Sequence, residues 1–137
     1  MPQVACFDTA FHRTQPEVAQ RFGLPRRFTD AGVRRYGFHG LSYEYVASVL
    51  PQFDARAAAG RTVVAHLGSG ASLCAMLAGK SVATTMGFTP ADGLLMGTRP
   101  GLLDPGVLLY LAATHGLTPA DLERLVYHES GLLGSRG

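Results

Sequence analysis

A chain of 137 residues is one domain's worth of polypeptide, or one piece of a larger fold. Its 12 basic and 10 acidic residues leave a formal charge of +2, too balanced for nucleic acid as a general partner. An apolar fraction of 47% and a mean hydropathy of +0.13 are ample for a core and high for a small soluble domain. A complete domain of this size buries roughly 70% of its unfolded surface, whereas a severed piece leaves apolar faces uncovered. Cys6 and Cys74 sit in apolar runs and read as small core residues of a reducing compartment, with spacing unsuited to a metal site. No run approaches the ~20 apolar residues of a membrane span. The opening residues lack the charged start and apolar stretch of a signal peptide, so a soluble, cytoplasmic protein is expected.

In chain order, Gln3–Phe7 reads as a short strand that ends on Asp8 and Thr9. A helix is expected over Gln15–Phe22, with Pro16 in its first turn and Pro25 closing it. Arg34–His39 is extended or looped. Ser42 is placed to cap a helix running to Leu50, with Tyr45, Val46 and Val49 on one face. Thr62–Leu67 is the strongest strand, rich in β-branched residues and stopped by Gly68. Ser72–Leu77 and Lys80–Thr85, separated by Ala78-Gly79, read as a hairpin. Gly87–Arg99 is a loop. Asp104-Pro105 opens a helix to His115, stopped by Gly116, and Thr118 with Asp121 forms a capping box for another helix. The fold class is α/β.

Four blocks carry the chemistry. His66-Leu67-Gly68-Ser69-Gly70 follows a strand and leads into a hairpin, where backbone N–H groups and the Ser69 hydroxyl can face a phosphoryl oxygen. It is no Walker-type loop, since no GKS or GKT follows. Taken alone it also fits an ordinary glycine-rich hairpin. Arg99, held between Gly97 and Pro100-Gly101, suits two-pronged contact with phosphate or carboxylate; the plain alternative is a pair with Asp92 or Asp104. His39 lies between Phe38 and Gly40, and spacing alone leaves a functional and a structural role open. Asp8, at a strand's carboxyl end, is where open α/β sheets place ligand-facing carboxylates. His12 reads as structural, and His115 and His128 as late-helix surface groups. Arg26, Arg27, Arg34 and Arg35 cluster as a solvated face.

At this point FDTAFHRTQP, RRYGFHG, HLGSGAS, TTMGFTPADGLLMGTRPGLLDP and ESGLLG together resemble the acetate kinases, within the acetate and sugar kinase/heat-shock ATPase/actin superfamily. The likeness runs from about Val4 to Gly134. It implies a partial actin-like, ribonuclease H-like fold, with residues 1–60 at the end of a first domain and 61–137 at the start of a second. It implies reversible phosphoryl transfer from ATP to acetate, with Mg²⁺, in a cytoplasmic homodimer with no nucleic-acid or membrane partner. Asp8 matches the family's active-site aspartate, and His39 and Arg99 match its transition-state stabilising residues. His66, Leu67, Gly68, Ser69 and Gly70 match its nucleotide-phosphate loop, with Ser69 where asparagine is usual; no residue here is assigned as a metal ligand. Leu41 and Ala83 also depart from the commoner hydroxyl and aspartate, and Pro100, Leu102 and Leu103 replace more polar residues.

Members of that family run to about three times this length. Their amino-terminal phosphate motif with its metal-binding asparagine, acetate-site arginine, adenosine loop and late metal-binding glutamate have no match here. The expectation is therefore the middle of an acetate kinase, truncated at both ends. The alternatives are a non-catalytic remnant or incomplete gene product, and a fragment of a propionate or butyrate kinase.

Overall fold

The computed structural model describes residues 1–136; Gly137, at the end of the SGLLGSRG stretch, lies outside them. Three antiparallel strands, β1 (Arg61–Leu67), β2 (Ala71–Leu77) and β3 (Lys80–Thr84), form one sheet in the order β1-β2-β3. The β2–β3 turn is Ala78-Gly79, both at positive φ (48° and 72°), as a two-residue hairpin turn matched to strand twist requires. Between β1 and β2 the chain turns over Gly68–Gly70, closed by Gly68 N–H donating to the Gly70 carbonyl at 3.0 Å.

One face of the sheet is covered by the helices before it. A 3-10 turn (Ala10–Thr14) lies against β3, followed by short α1 (Glu17–Gln20) and α2 (Arg26–Asp30). Helix α3 (Gly40–Val49) crosses β1, and a 3-10 turn (Leu50–Gln52) and α4 (Ala55–Ala59) lead into the sheet. Because strand side chains alternate, Ser72, Cys74 and Met76 all point inward, and Cys74 and Met76 close a core with Tyr43, flanked by Phe11, Ala47 and Val64. A second cluster, Ala71, Met86 and Met96 with Phe38 and Leu94, underlies the long loop after β3. Val63, Leu67 and Leu77 on the opposite sheet face are exposed. Helices α5 (Pro105–His115) and α6 (Pro119–Arg124), a π-turn (Leu125–Glu129) and α7 (Gly131–Gly134) complete the described chain. Among the described residues no helix is long and apolar enough to cross a membrane.

Several expectations are corrected. Gln3–Phe7 is not a strand: among the described residues it has no pairing partner, and without a ladder its backbone gains nothing from extension into one. Cys6 on it is exposed, whereas Cys74 is in the core. The helix expected over Gln15–Phe22 shrinks to one turn, because Pro16 sits at its N-cap with ψ of 149° and Arg21 is already extended. Ser42 does not cap α3; the N-cap is His39, three residues earlier, and the Ser42 hydroxyl instead meets a histidine ring. The buried residues of α3 are Gly40 and Tyr43, with Tyr45 68% exposed, because the face carrying Tyr43 and Ala47 is the one packed on the sheet core. The helix from Asp104, the Thr118–Asp121 capping box and the hairpin stand as expected.

Candidate active site

His39 is the hinge of the site. It sits at the N-cap of α3 in the left-handed region (φ 60°, ψ 24°), a strained backbone for a residue with a Cβ. Asp8 holds it there. The carboxylate accepts the His39 main-chain N–H at 2.6 Å and the Leu41 N–H at 3.4 Å, while the Asp8 carbonyl accepts the Gly40 N–H at 2.8 Å. An anion thus satisfies donors at the positive end of a ten-residue helix.

The ring of His39 is fixed from two sides. It stacks on His66, and its Nδ1 lies 2.9 Å from Ser72 Oγ. Ser72 in turn touches the Tyr43 hydroxyl, and His66 Nδ1 lies 3.0 Å from Ser42 Oγ. The sheet explains the placement: His66 and Ser72 are direct cross-strand partners, so they project to the same side, beneath α3. Burial lowers the His39 pKa first, with the charges of His66 and Arg99 adding to it and Asp8 opposing, so the ring is neutral at neutral pH.

Arg99 arrives from the loop after β3. Its guanidinium donates to the Pro90 carbonyl at 2.6 Å and to the Ser69 carbonyl at 3.4 Å. It pairs with neither Asp92 nor Asp104; Asp92 is taken by Arg35, 3.1 Å away. Behind the loop, Ser130 N–H donates to Thr98, Leu132 N–H to Met96 and Leu133 N–H to Gly97. The ESGLLG stretch is therefore the backing of Arg99.

Gly70 marks where these groups converge. A Cβ built there would lie 2.8 Å from Arg99 Nη2 and 3.1 Å from His39 Nε2. The imidazole, the guanidinium and the Gly68–Gly70 bend face one small space. Leu67 does not join them through its side chain, which points to the other sheet face and is 75% exposed. Ser69 contributes its carbonyl to Arg99. His12 is buried, bonded to Ser81 Oγ and the Phe38 carbonyl, and serves the core.

Spacing in the sequence did not single out Tyr43, Ser72 or Ser42. Ser72 is within reach of it: a three-residue bend, Gly68–Gly70, after Leu67 pairs Leu67 with Ala71 and so puts Ser72 opposite His66 in a regular antiparallel pair.

The profile of the Acetokinase family matches residues 1–137. The chain belongs to the acetokinase family. It is 63% identical over its whole length to an acetate kinase of Rhodopseudomonas palustris and 50% identical to one of Rickettsia felis. Among solved structures, this acetokinase chain superposes on Porphyromonas gingivalis acetate kinase with a TM-score of 0.87 at 44% identity. A Francisella tularensis propionate kinase gives 0.88 at 40%. Both superpositions cover 93% of this chain and 33% of the other. The acetokinase chain spans 35% of the length of each of the two curated relatives named here.

Proposed function

We propose that this chain supplies the phosphoryl-transfer centre of an acetate kinase: Asp8, His39, Arg99 and the His66–Gly70 turn act on the phosphoryl group passing between ATP and acetate. The observation that supports this most is the convergence of His39 Nε2 and Arg99 Nη2 on the open side of Gly70. The family of the chain supports it independently.

The chemistry asks little else of the protein. Acetate is ionised at neutral pH, since simple carboxyls titrate near ~4, so no general base is needed. A carboxylate oxygen bonds to the γ-phosphorus as the bond to the ADP oxygen breaks, and no proton changes hands. Two anions must be held in line and the charge on the migrating phosphoryl offset. A forked guanidinium and a neutral imidazole N–H suit that demand, and an arginine in this role is worth ~10³–10⁵ in rate in other phosphoryl-transfer enzymes. Asp8 acts by orienting His39. Mg²⁺, which accompanies ATP in this reading, finds no cage here. Among the described residues no three His, Cys, Asp or Glu cluster, and the Asp8 oxygens face main-chain amides. No step is assigned to the metal.

On this reading residues 1–60 close one actin-like domain and 61–137 open the next, joined through Tyr43, Cys74 and Met76. The cytoplasmic location and the homodimer belong to the same proposal. A likeness to propionate kinase keeps propionate as the second acyl substrate to assay.

The test is a chimera in which residues 1–137 replace the matching segment of the Rhodopseudomonas palustris relative, assayed by hydroxamate trapping with ATP, acetate and Mg²⁺. Turnover is expected in the chimera and little or none from the 137 residues alone. Arg99→Lys should cost roughly 10³-fold in kcat, because an ammonium cannot reproduce the fork. A folded chimera without turnover would favour the non-catalytic reading, and Arg99→Lys at full rate would remove Arg99 from the mechanism.

A further inference from the structure

We propose that Tyr43 and Ser72 are positioning residues that hold His39 as its Nε2–H tautomer, so that the ring presents a donor to the space beside Gly70 and Arg99. The inference deepens the phosphoryl-transfer reading and rests on it for its purpose, though not for its geometry.

The argument is a count of protons. Tyr43 and Ser72 are both fully buried, so water does not compete for their hydroxyls. Two groups stand at the Tyr43 hydroxyl: the His66 backbone, which lowers its pKa as a donating N–H does, and Ser72 Oγ, which is therefore the acceptor for the phenol proton. Burial raises the Tyr43 pKa, which keeps the phenol protonated and donating. Having accepted from Tyr43, Ser72 has one further partner for its own proton, His39 Nδ1 at 2.9 Å. Nδ1 is thereby an acceptor, and the proton of the neutral ring resides on Nε2. The reverse direction strands a proton: if His39 Nδ1–H donated to Ser72, and Ser72 to Tyr43, the phenol proton would be left buried without an acceptor. Nε2 is the ring atom that faces the Gly70 space. The relay therefore decides whether His39 meets an oxygen with a hydrogen or with a lone pair. A lone pair would repel a phosphoryl oxygen.

The sequence supports this arrangement in a simple way. Tyr43 is one helical turn after His39, so its side chain returns to the same face of α3. Ser72 is opposite His66, which stacks on His39 from below.

The experiment is long-range ¹H–¹⁵N correlation spectroscopy of the ¹⁵N-histidine-labelled 137-residue chain, recorded above the histidine titration range without ligand. His39 should show protonated Nε2 and unprotonated Nδ1. Ser72→Ala and Tyr43→Phe should each lower the Nε2–H to Nδ1–H ratio about five- to tenfold, the loss of one ordinary hydrogen bond, while Ser72→Thr retains it. Tyr43→Phe keeps the ring packing, so its result stands if Ser72→Ala disturbs the sheet. An Nδ1–H tautomer in the unmodified chain, or an unchanged ratio in both variants, overturns the proposal. Titration of the same sample with inorganic phosphate is read separately. An unresponsive His39 would count against the phosphoryl-transfer reading and leave the tautomer assignment standing.

Discussion

The rings of His39 and His66 lie face to face, their centroids 3.9 Å apart and their planes inclined by 24°. Two imidazolium ions cannot share that stack cheaply, and the neighbouring Arg99 guanidinium makes a further positive charge less welcome. The consequence is a defined response to acid. The folded His39 pKa is lowered, chiefly by burial, and buried His12 is lowered for the same leading reason. Above the unfolded value of about 6.5 both states are neutral and these groups leave stability untouched. As pH falls through that value, the unfolded chain takes up protons that the folded chain resists, so stability declines. Thermal midpoints measured from about pH 8 down to about pH 5.5 should fall, and His39→Gln should flatten the curve. A profile that is level across this window, or unaltered by His39→Gln, would contradict the packing described.

Gly70→Ala tests the convergence itself. The added methyl would fall 2.8 Å from Arg99 Nη2 and 3.1 Å from His39 Nε2, against the far ends of two side chains that can shift outward. The expected outcome is a chain that still folds but holds its two donors apart. In the chimera kcat should fall roughly 10²-fold, as displacements near 1 Å do elsewhere. Full activity in Gly70→Ala would mean that the phosphoryl is bound somewhere else.

How much of this was legible beforehand follows from the range of the forces involved. The Ala78-Gly79 hairpin, the Asp104 cap and the Thr118–Asp121 box are satisfied within a few residues, and each was readable from local chemistry. Gln3–Phe7 has strand-like residues, but a strand exists only with a partner, and none of the described residues pairs with it. Arg99 shows the same limit from the other side: spacing leaves Asp92 and Asp104 open as plain counter-ions, and only the folded loop shows that two carbonyls, Pro90 and Ser69, orient the guanidinium, with no ion pair to an acid among the described residues. The Tyr43–Ser72 pair has no local signature: the β1–β2 register sets Ser72 opposite His66, but only the packing of α3 against the sheet brings Tyr43 to it.

Asp8→Asn separates orientation from metal binding. The carboxylate accepts two main-chain N–H groups, from His39 and Leu41, and an amide offers one oxygen and one donor in its place. One of the two N–H groups then faces an NH₂, and the favourable charge at the start of α3 is gone. The expected destabilisation is about 1–3 kcal/mol, readable by urea denaturation. In the chimera the activity lost should be the same at every Mg²⁺ concentration, because the change acts through His39. Recovery of activity at high Mg²⁺ would instead place Asp8 beside the ion.

Gly131→Ala probes the backing of Arg99 from behind. Gly131 has φ of +67°, and a Cβ there would sit 2.3 Å from the Met96 carbonyl oxygen and 2.8 Å from the Arg99 main-chain nitrogen. Both obstacles are backbone, so neither can rotate aside, and positive φ adds its own penalty. A loss of about 2 kcal/mol or more is expected, with weakening of the Leu132 and Ser130 bonds that hold the Arg99 loop. Gly97→Ala, in the same loop but with nothing within 4 Å of the new methyl, is the matched control and should cost little. Hydrogen exchange of the Leu132 and Leu133 amides, which donate to Met96 and Gly97, should quicken in Gly131→Ala and not in Gly97→Ala. Equal behaviour of the two variants would show that the Arg99 loop keeps its shape without support from ESGLLG.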